Sequence, residues 1–142
     1  MNETINTIKD HRSIRDYKSD KIDQSIIDEI IIAAQSMPSS INGQQTSIIV
    51  VQDKVTKAKI AEYAGGQPWI DKAPLFLLFI TDFYKTNVAA QKNRETQKIH
   101  ESIESTLVGA VDVGLGMGAA IIAAESLGLG IVPIGGIRRD PE

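Results

Sequence analysis

The chain predicts an α+β domain with α/β-like layering, one sheet with helices on both faces. Two observations carry this. Apolar runs rich in β-branched and aromatic residues, Ser47–Gln52, Leu75–Thr81 and Gly130–Ile134, are separated by segments of helical periodicity. The length of 142 residues and the 42% apolar content suit one domain with a modest core.

Taken in order, Asn2–Lys9 reads as a short helix with Ile5 and Ile8 on one face, and His11–Lys18 as an extended stretch or loop. Asp23 is the expected N-cap of a helix to about Ser36. Ile26, Ile27, Ile30, Ile31 and Ala34 form its core face. Isoleucine is a mediocre helix former, so packing must hold this helix. Met37–Gln45 cannot continue it. This is a loop of short polar residues, either ligand-contacting or a plain connector.

Ser47–Gln52 is apolar without alternation, which predicts a central strand buried on both faces. A helix follows over Lys54–Ala64 and ends at Gly65-Gly66. Leu75–Thr81 is a second buried strand. Thr86 to about His100 is polar almost throughout, a solvated helix or a mobile excursion. A long small-residue helix then runs to about Leu127 and closes at Gly128, and Gly130–Ile134 is a third strand. Asp140-Pro141-Glu142 carries a cap residue, a proline and an acid in the pattern that opens a helix. The polypeptide is therefore expected to be a fragment or a truncated product, the N-terminal part of a single domain over 1–142.

Composition excludes several functions. The net charge of −3 gives no global field for nucleic acid. Without cysteine there is no disulfide, thiolate zinc site, iron–sulfur cluster or thiol nucleophile. With only His11 and His100, no histidine-built metal site is expected. Leu107–Ala124 imitates a membrane span, but it carries Asp112 and four glycines, so it reads as a buried soluble helix. Asp112 itself suits a hydrogen-bonded or salt-bridged interface position, with no catalytic role. The N-terminus has no basic segment followed by an apolar one, which points to a cytoplasmic protein without membrane association.

Four short motifs carry chemistry. His11-Arg12-Ser13-Ile14-Arg15-Asp16-Tyr17 sets two guanidinium groups, an imidazole and a hydroxyl where they can converge on one anion. A solvated basic face is the alternative. Ser39-Ser40 lies in the polar loop, and Gln67 follows Gly65-Gly66. Ile134-Gly135-Gly136 directly follows a strand, so its backbone N–H groups can meet a flat ligand closely. Turn chemistry explains the same pair of glycines. Gly114-Leu115-Gly116-Met117-Gly118 lacks the dinucleotide spacing and lies inside a helical run. It, with Gly109, Ala110, Val113 and Ile121, suits close approach of another helix. No triad or paired-carboxylate signature stands out.

In this order, with Ala123–Gly130 and the continuation through Ile137 and Arg138, the motifs resemble the nitroreductase family over nearly the whole chain. The branch of oxygen-insensitive NADPH nitroreductases and FMN reductases is the closest in pattern. The resemblance implies a central mixed sheet flanked by helices, with FMN at a homodimer interface around the long helix. It implies that His11, Arg12, Ser13 and Arg15 hold the phosphate and ribityl end, His11 as a neutral hydrogen-bond donor. Ser39 and Ser40 would come from the partner subunit. Gln67, Pro133, Ile134, Gly135 and Gly136 would line the flavin ring, with Trp69 packing over the same turn. The chain departs from closer members at Pro133 and around Ile41-Asn42-Gly43. The implied activity is ping-pong electron transfer from NADPH or NADH to nitroaromatics, quinones or free flavin, without an acid–base side chain. Family members continue beyond this length with further FMN and nicotinamide contacts, so a non-catalytic flavin-binding or dimerisation module is the alternative.

Overall fold

The computed structural model describes residues 2–137. The helix expected to open at Asp140-Pro141-Glu142, and Arg138, lie outside the described residues. Helix α1 (Glu3–Asp10) starts where the Asn2 side chain accepts from the Ile5 N–H at 3.0 Å. Ile5 and Ile8 share a face that stays exposed. Helix α2 (Gln24–Gln35) buries Ile27, Ile30 and Ala34. Asp23 holds the cap position, but its side chain makes no capping bond.

Strands β1 (Thr46–Val51) and β2 (Phe76–Thr81) pair antiparallel, with Ile49 opposite Leu78. They form a two-stranded sheet, smaller than the central sheet the sequence predicts. The third strand expected over Gly130–Ile134 reduces to one parallel bridge, Ser13 to Ile131. Nor is β1 covered on both faces. Ile49 and Val50 are 46% and 37% exposed. An unbroken apolar run signals double cover only when neighbouring layers exist. Among the described residues β1 has one strand partner, and its other face meets α3–α4 only at the Val51–Phe76 end.

Helix α6 (Ile103–Ser126) is the spine of the molecule. It buries Ser105, Gly109, Asp112, Gly116, Ala120 and Ala124 along one face. Close approach explains the glycines there. A Cβ on Gly116 would come within 3.3 Å of the Ala34 carbonyl oxygen, and one on Gly109 within 2.4 Å of the Thr81 side chain. Ile30, Ala34, Ala120 and Ala124 form the main core, with Ile48, Leu77 and Phe79 of the sheet packed on it. The helix is long and apolar enough to cross a membrane by length and composition. Yet Asp112 within it is buried and accepts hydrogen bonds from the 37–45 loop, so the helix is built into a folded layer.

A satellite packs beside this layer. Helices α3 (Lys54–Tyr63) and α4 (Pro68–Lys72) bury Ala61, Ala64 and Ile70 together, with Trp69, Phe76 and Ile134 against them. The polar segment after β2 forms helix α5 (Phe83–Lys92) and a 3-10 turn at Ile99–Glu101, and α5 buries nothing. Asp82 caps α5 and accepts from the Ser47 hydroxyl at 2.5 Å, a bond that holds its carboxyl below the ordinary value of 3.8.

Candidate functional site

The N-terminal basic motif is fixed by the chain that leaves α6. Gly128, at φ +81°, ends the helix, and the Leu129 N–H returns to the Ala124 carbonyl at 3.0 Å. The chain then runs beside the motif. The Ile14 N–H donates to the Ile131 carbonyl at 2.8 Å. Gly130 makes this possible, because a Cβ there would lie 2.9 Å from Ile14. Ser13 therefore sits in a backbone bridge, and its neighbours point to either side of it.

His11 faces α6. Its Nδ1 lies 2.6 Å from Glu125 Oε1. Arg12 Nη1 donates to the His11 carbonyl at 2.6 Å, and the Arg15 guanidinium lies 5.6 Å from the centre of the Trp69 ring. Among the described residues no carboxylate pairs with either arginine. Tyr17 donates its hydroxyl to the Ile14 carbonyl at 2.6 Å. Burial raises its pKa above the ordinary 10.0, with a smaller opposing pull from Arg15, so it remains a donor.

The Gly65-Gly66-Gln67 turn reaches the same place through Trp69. Both glycines have φ near +80°, at +80° and +79°, and Gly66 N–H closes on the Ala61 carbonyl at 2.8 Å. Gln67 caps α4 by position and spends its amide on the Ala64 carbonyl at 2.8 Å. Ile134 packs on the satellite, and Gly136 has φ +78°. Among the described residues a Cβ on Gly135 or Gly136 would meet nothing within 4 Å, so this backbone is open on one side there. A cleft of about 1090 Å3 is lined by Ile14, Tyr17, Trp69, Pro133, Ile134 and Gly136 at its rim. Core hydrocarbon, Ile30 and Leu77 among it, also lines the cleft, as do Asp16, Lys18 and Lys21. A smaller hollow of about 450 Å3 holds Arg12 and Glu125, and Ile14 lines both spaces.

The Ser13–Ile131 bridge lays the stretch with His11, Arg12, Ser13 and Arg15 beside the chain that continues through Pro133, Ile134, Gly135 and Gly136. Trp69, two residues after Gln67, lies under Arg15 and packs on the cluster that Ile134 also meets, which defines one seam. Ser39 and Ser40 stand apart. The Ser40 N–H donates to both Asp112 carboxylate oxygens at 3.1 and 3.2 Å, and Ser39 Oγ accepts from the Gln44 N–H at 3.0 Å. Asp112 precedes Glu125 by thirteen helical residues, about 20 Å along α6. Their loop is strained. Ile41, Asn42 and Gln44 have φ of +50°, +55° and +50°, and Ile41 is 95% exposed. Gly43 serves close packing rather than positive φ, since a Cβ there would strike Gln45.

Two participants escape the sequence reading. Lys57 is buried, and its ammonium donates to the Asp71 and Ala73 carbonyls at the end of α4. Nothing in a polar helix marks it. Glu125 did carry a signal, an acid in the last helical turn, where the helix dipole disfavours negative charge. Its partner His11 lies 114 residues away in sequence.

The nitroreductase family model matches residues 8–140. A Bacillus subtilis (strain 168) FMN reductase (NAD(P)H) is 54% identical over 100% of this chain and 57% of that relative. The solved structure of Bacillus megaterium NfrA2 superposes with a TM-score of 0.96 at 56% identity, over 99% of this chain and 57% of that one. A Vibrio harveyi NADPH:FMN oxidoreductase complexed with NAD+ follows at a TM-score of 0.87 and 38% identity, over 96% and 57%. The chain spans little more than half the length of these proteins, and it has their fold. It belongs to the nitroreductase family.

Proposed function

We propose that the protein is an FMN-dependent NAD(P)H oxidoreductase. It would pass electrons in a ping-pong sequence to a small aromatic acceptor, a nitroaromatic, a quinone or free flavin. The observation that carries this reading is the seam itself. Among the described residues two arginines lack a carboxylate partner, and the stretch that carries them is bridged at Ile131 to the chain that goes on to Gly135 and Gly136.

The residues present fit FMN. Arg12, Arg15 and the Ser13 hydroxyl form a donor set suited to a phosphate monoester. Gly135 and Gly136 leave room for a flat ring, and Gln67, Pro133 and Ile134 border it. When bound, FMN supplies the hydride chemistry, and the chain positions it and excludes water around it. Cationic groups near the ring favour its reduced, more anionic form. No side chain need move a proton.

The reading extends to a homodimer in the cytoplasm. The outer face of α6 exposes Leu107, Val111 and Leu115, and a Cβ on Gly114 or Gly118 would meet nothing within 4 Å. An apolar stripe with open glycines suits the backbone of a second copy. Ser39 and Ser40, distant from their own seam, would then serve the partner's. We read the chain as the N-terminal part of one such domain, with the relatives' additional length covering the apolar lining of the cleft.

The test is the visible spectrum of the purified chain after loading with FMN and dialysis, then anaerobic NADPH. Retained flavin that bleaches is expected. A colourless protein overturns the site, and retained flavin that stays oxidised favours a binding module without turnover.

A further inference from the structure

Glu125 is an acid in an unfavourable place. It lies in the last turn of α6, where the helix dipole opposes its charge. Its carboxylate is mostly buried, with 13% side-chain exposure. Oε2 is buried with no hydrogen-bond partner among the described residues. Helix geometry and solvation both argue against an acid here. What compensates is the bond from Oε1 to His11 Nδ1 at 2.6 Å.

A carboxylate only accepts. With Glu125 ionised, the imidazole proton must sit on Nδ1, whatever the charge of the ring. Nε2 is then the one ring nitrogen left for a ligand, and the ring is 37% exposed. The neutral ring offers a lone pair there, which accepts from a hydroxyl. A neutral His11 that donates to phosphate or to the ribityl chain, as the sequence suggested, does not fit this pairing.

We propose that Glu125 is a positioning residue. It fixes the Nδ1–H tautomer and the orientation of His11, so that the ring meets the cofactor's ribityl hydroxyls through Nε2. This rests on the flavin reading above for the identity of the ligand. Arg12, Ser13 and Arg15 are left to take the phosphate.

Nitrogen-15 spectra of the chain test the first half without any cofactor. Only His11 and His100 contribute imidazole signals. Above the histidine titration range, His11 should show protonated Nδ1 and bare Nε2. Glu125→Ala should return it towards the Nε2–H form, while His100 stays unchanged. The second half is read from FMN affinity by flavin fluorescence. Glu125→Ala should weaken it about tenfold, the size of one hydrogen bond to a well-placed group. In a His11→Ala background the same change should cost nothing further.

A His11 tautomer unmoved by Glu125→Ala overturns the proposal. So does an equal loss of affinity in both backgrounds, which would mean a merely structural role. If no flavin binds while the tautomer switches, the hold of Glu125 on His11 stands and the flavin reading falls.

Discussion

The α2–α6 layer and the α3–α4 satellite are built by different means. The layer is held by hydrocarbon and close backbone approach. Ile30 is 2% exposed between α6 and the sheet, and Gly116 admits the Ala34 carbonyl. The satellite has a thinner core, two alanines and Ile70, and adds a buried ammonium that binds the end of α4. The candidate site lies between the two. The layer supplies His11 through Glu125, and the satellite supplies Gln67 and Trp69. Arg15 over the Trp69 ring and Ile134 against Ile70 join them. The comparison makes loss of the layer global and loss of the satellite local.

Ile30→Ala should produce the largest effect. Removing a buried isoleucine between α2 and α6 costs about 2–5 kcal/mol, by lost transfer energy and the cavity left behind. Thermal melting followed by far-ultraviolet circular dichroism should fall as one cooperative step. A change confined to tryptophan fluorescence would mean that Ile30 does not support the whole layer.

Lys57→Met should act on the satellite. It leaves the Asp71 and Ala73 carbonyls without a donor, but it also relieves the burial of an ammonium. The net cost is about 1–2 kcal/mol. Trp69 is the only tryptophan, so its emission reports this region alone. The fluorescence midpoint in urea should drop below the circular dichroism midpoint. Coincident midpoints would show that satellite and layer unfold together.

The layer was far more legible in the sequence than the satellite. Isoleucines at helical spacing named the core face of α2, and Gly128 named the end of α6. Both signals are local. Lys57 was illegible, because its acceptors are backbone carbonyls with no side-chain signature. The third strand was overread. Gly130–Ile134 has strand composition, yet only Ile131 finds a partner, and Gly130 is there to admit Ile14. The double burial expected of β1 failed for a related reason, since composition reports what a strand suits and not what lies over it. Within the candidate site, the His11–Tyr17 motif could be singled out from side-chain chemistry alone, as an expectation. The sorting of Ser40 onto Asp112, and of Glu125 onto His11, needed the fold.

Arg15→Gln should give the smallest change in stability and the sharpest test of the join. An exposed cation–π contact contributes about 0.5–1 kcal/mol, and glutamine keeps much of the side chain's length and hydrogen bonding. The global midpoint should therefore barely move. Trp69 should change differently, because the charge over its ring is gone, and iodide, an anion no longer drawn to that charge, should quench it less readily. In the Lys57→Met background the satellite is already loosened, so the added effect of Arg15→Gln on Trp69 should shrink. Full additivity would mean that Arg15 does not hold the satellite to the layer, and that Phe76 and Ile134 carry the join.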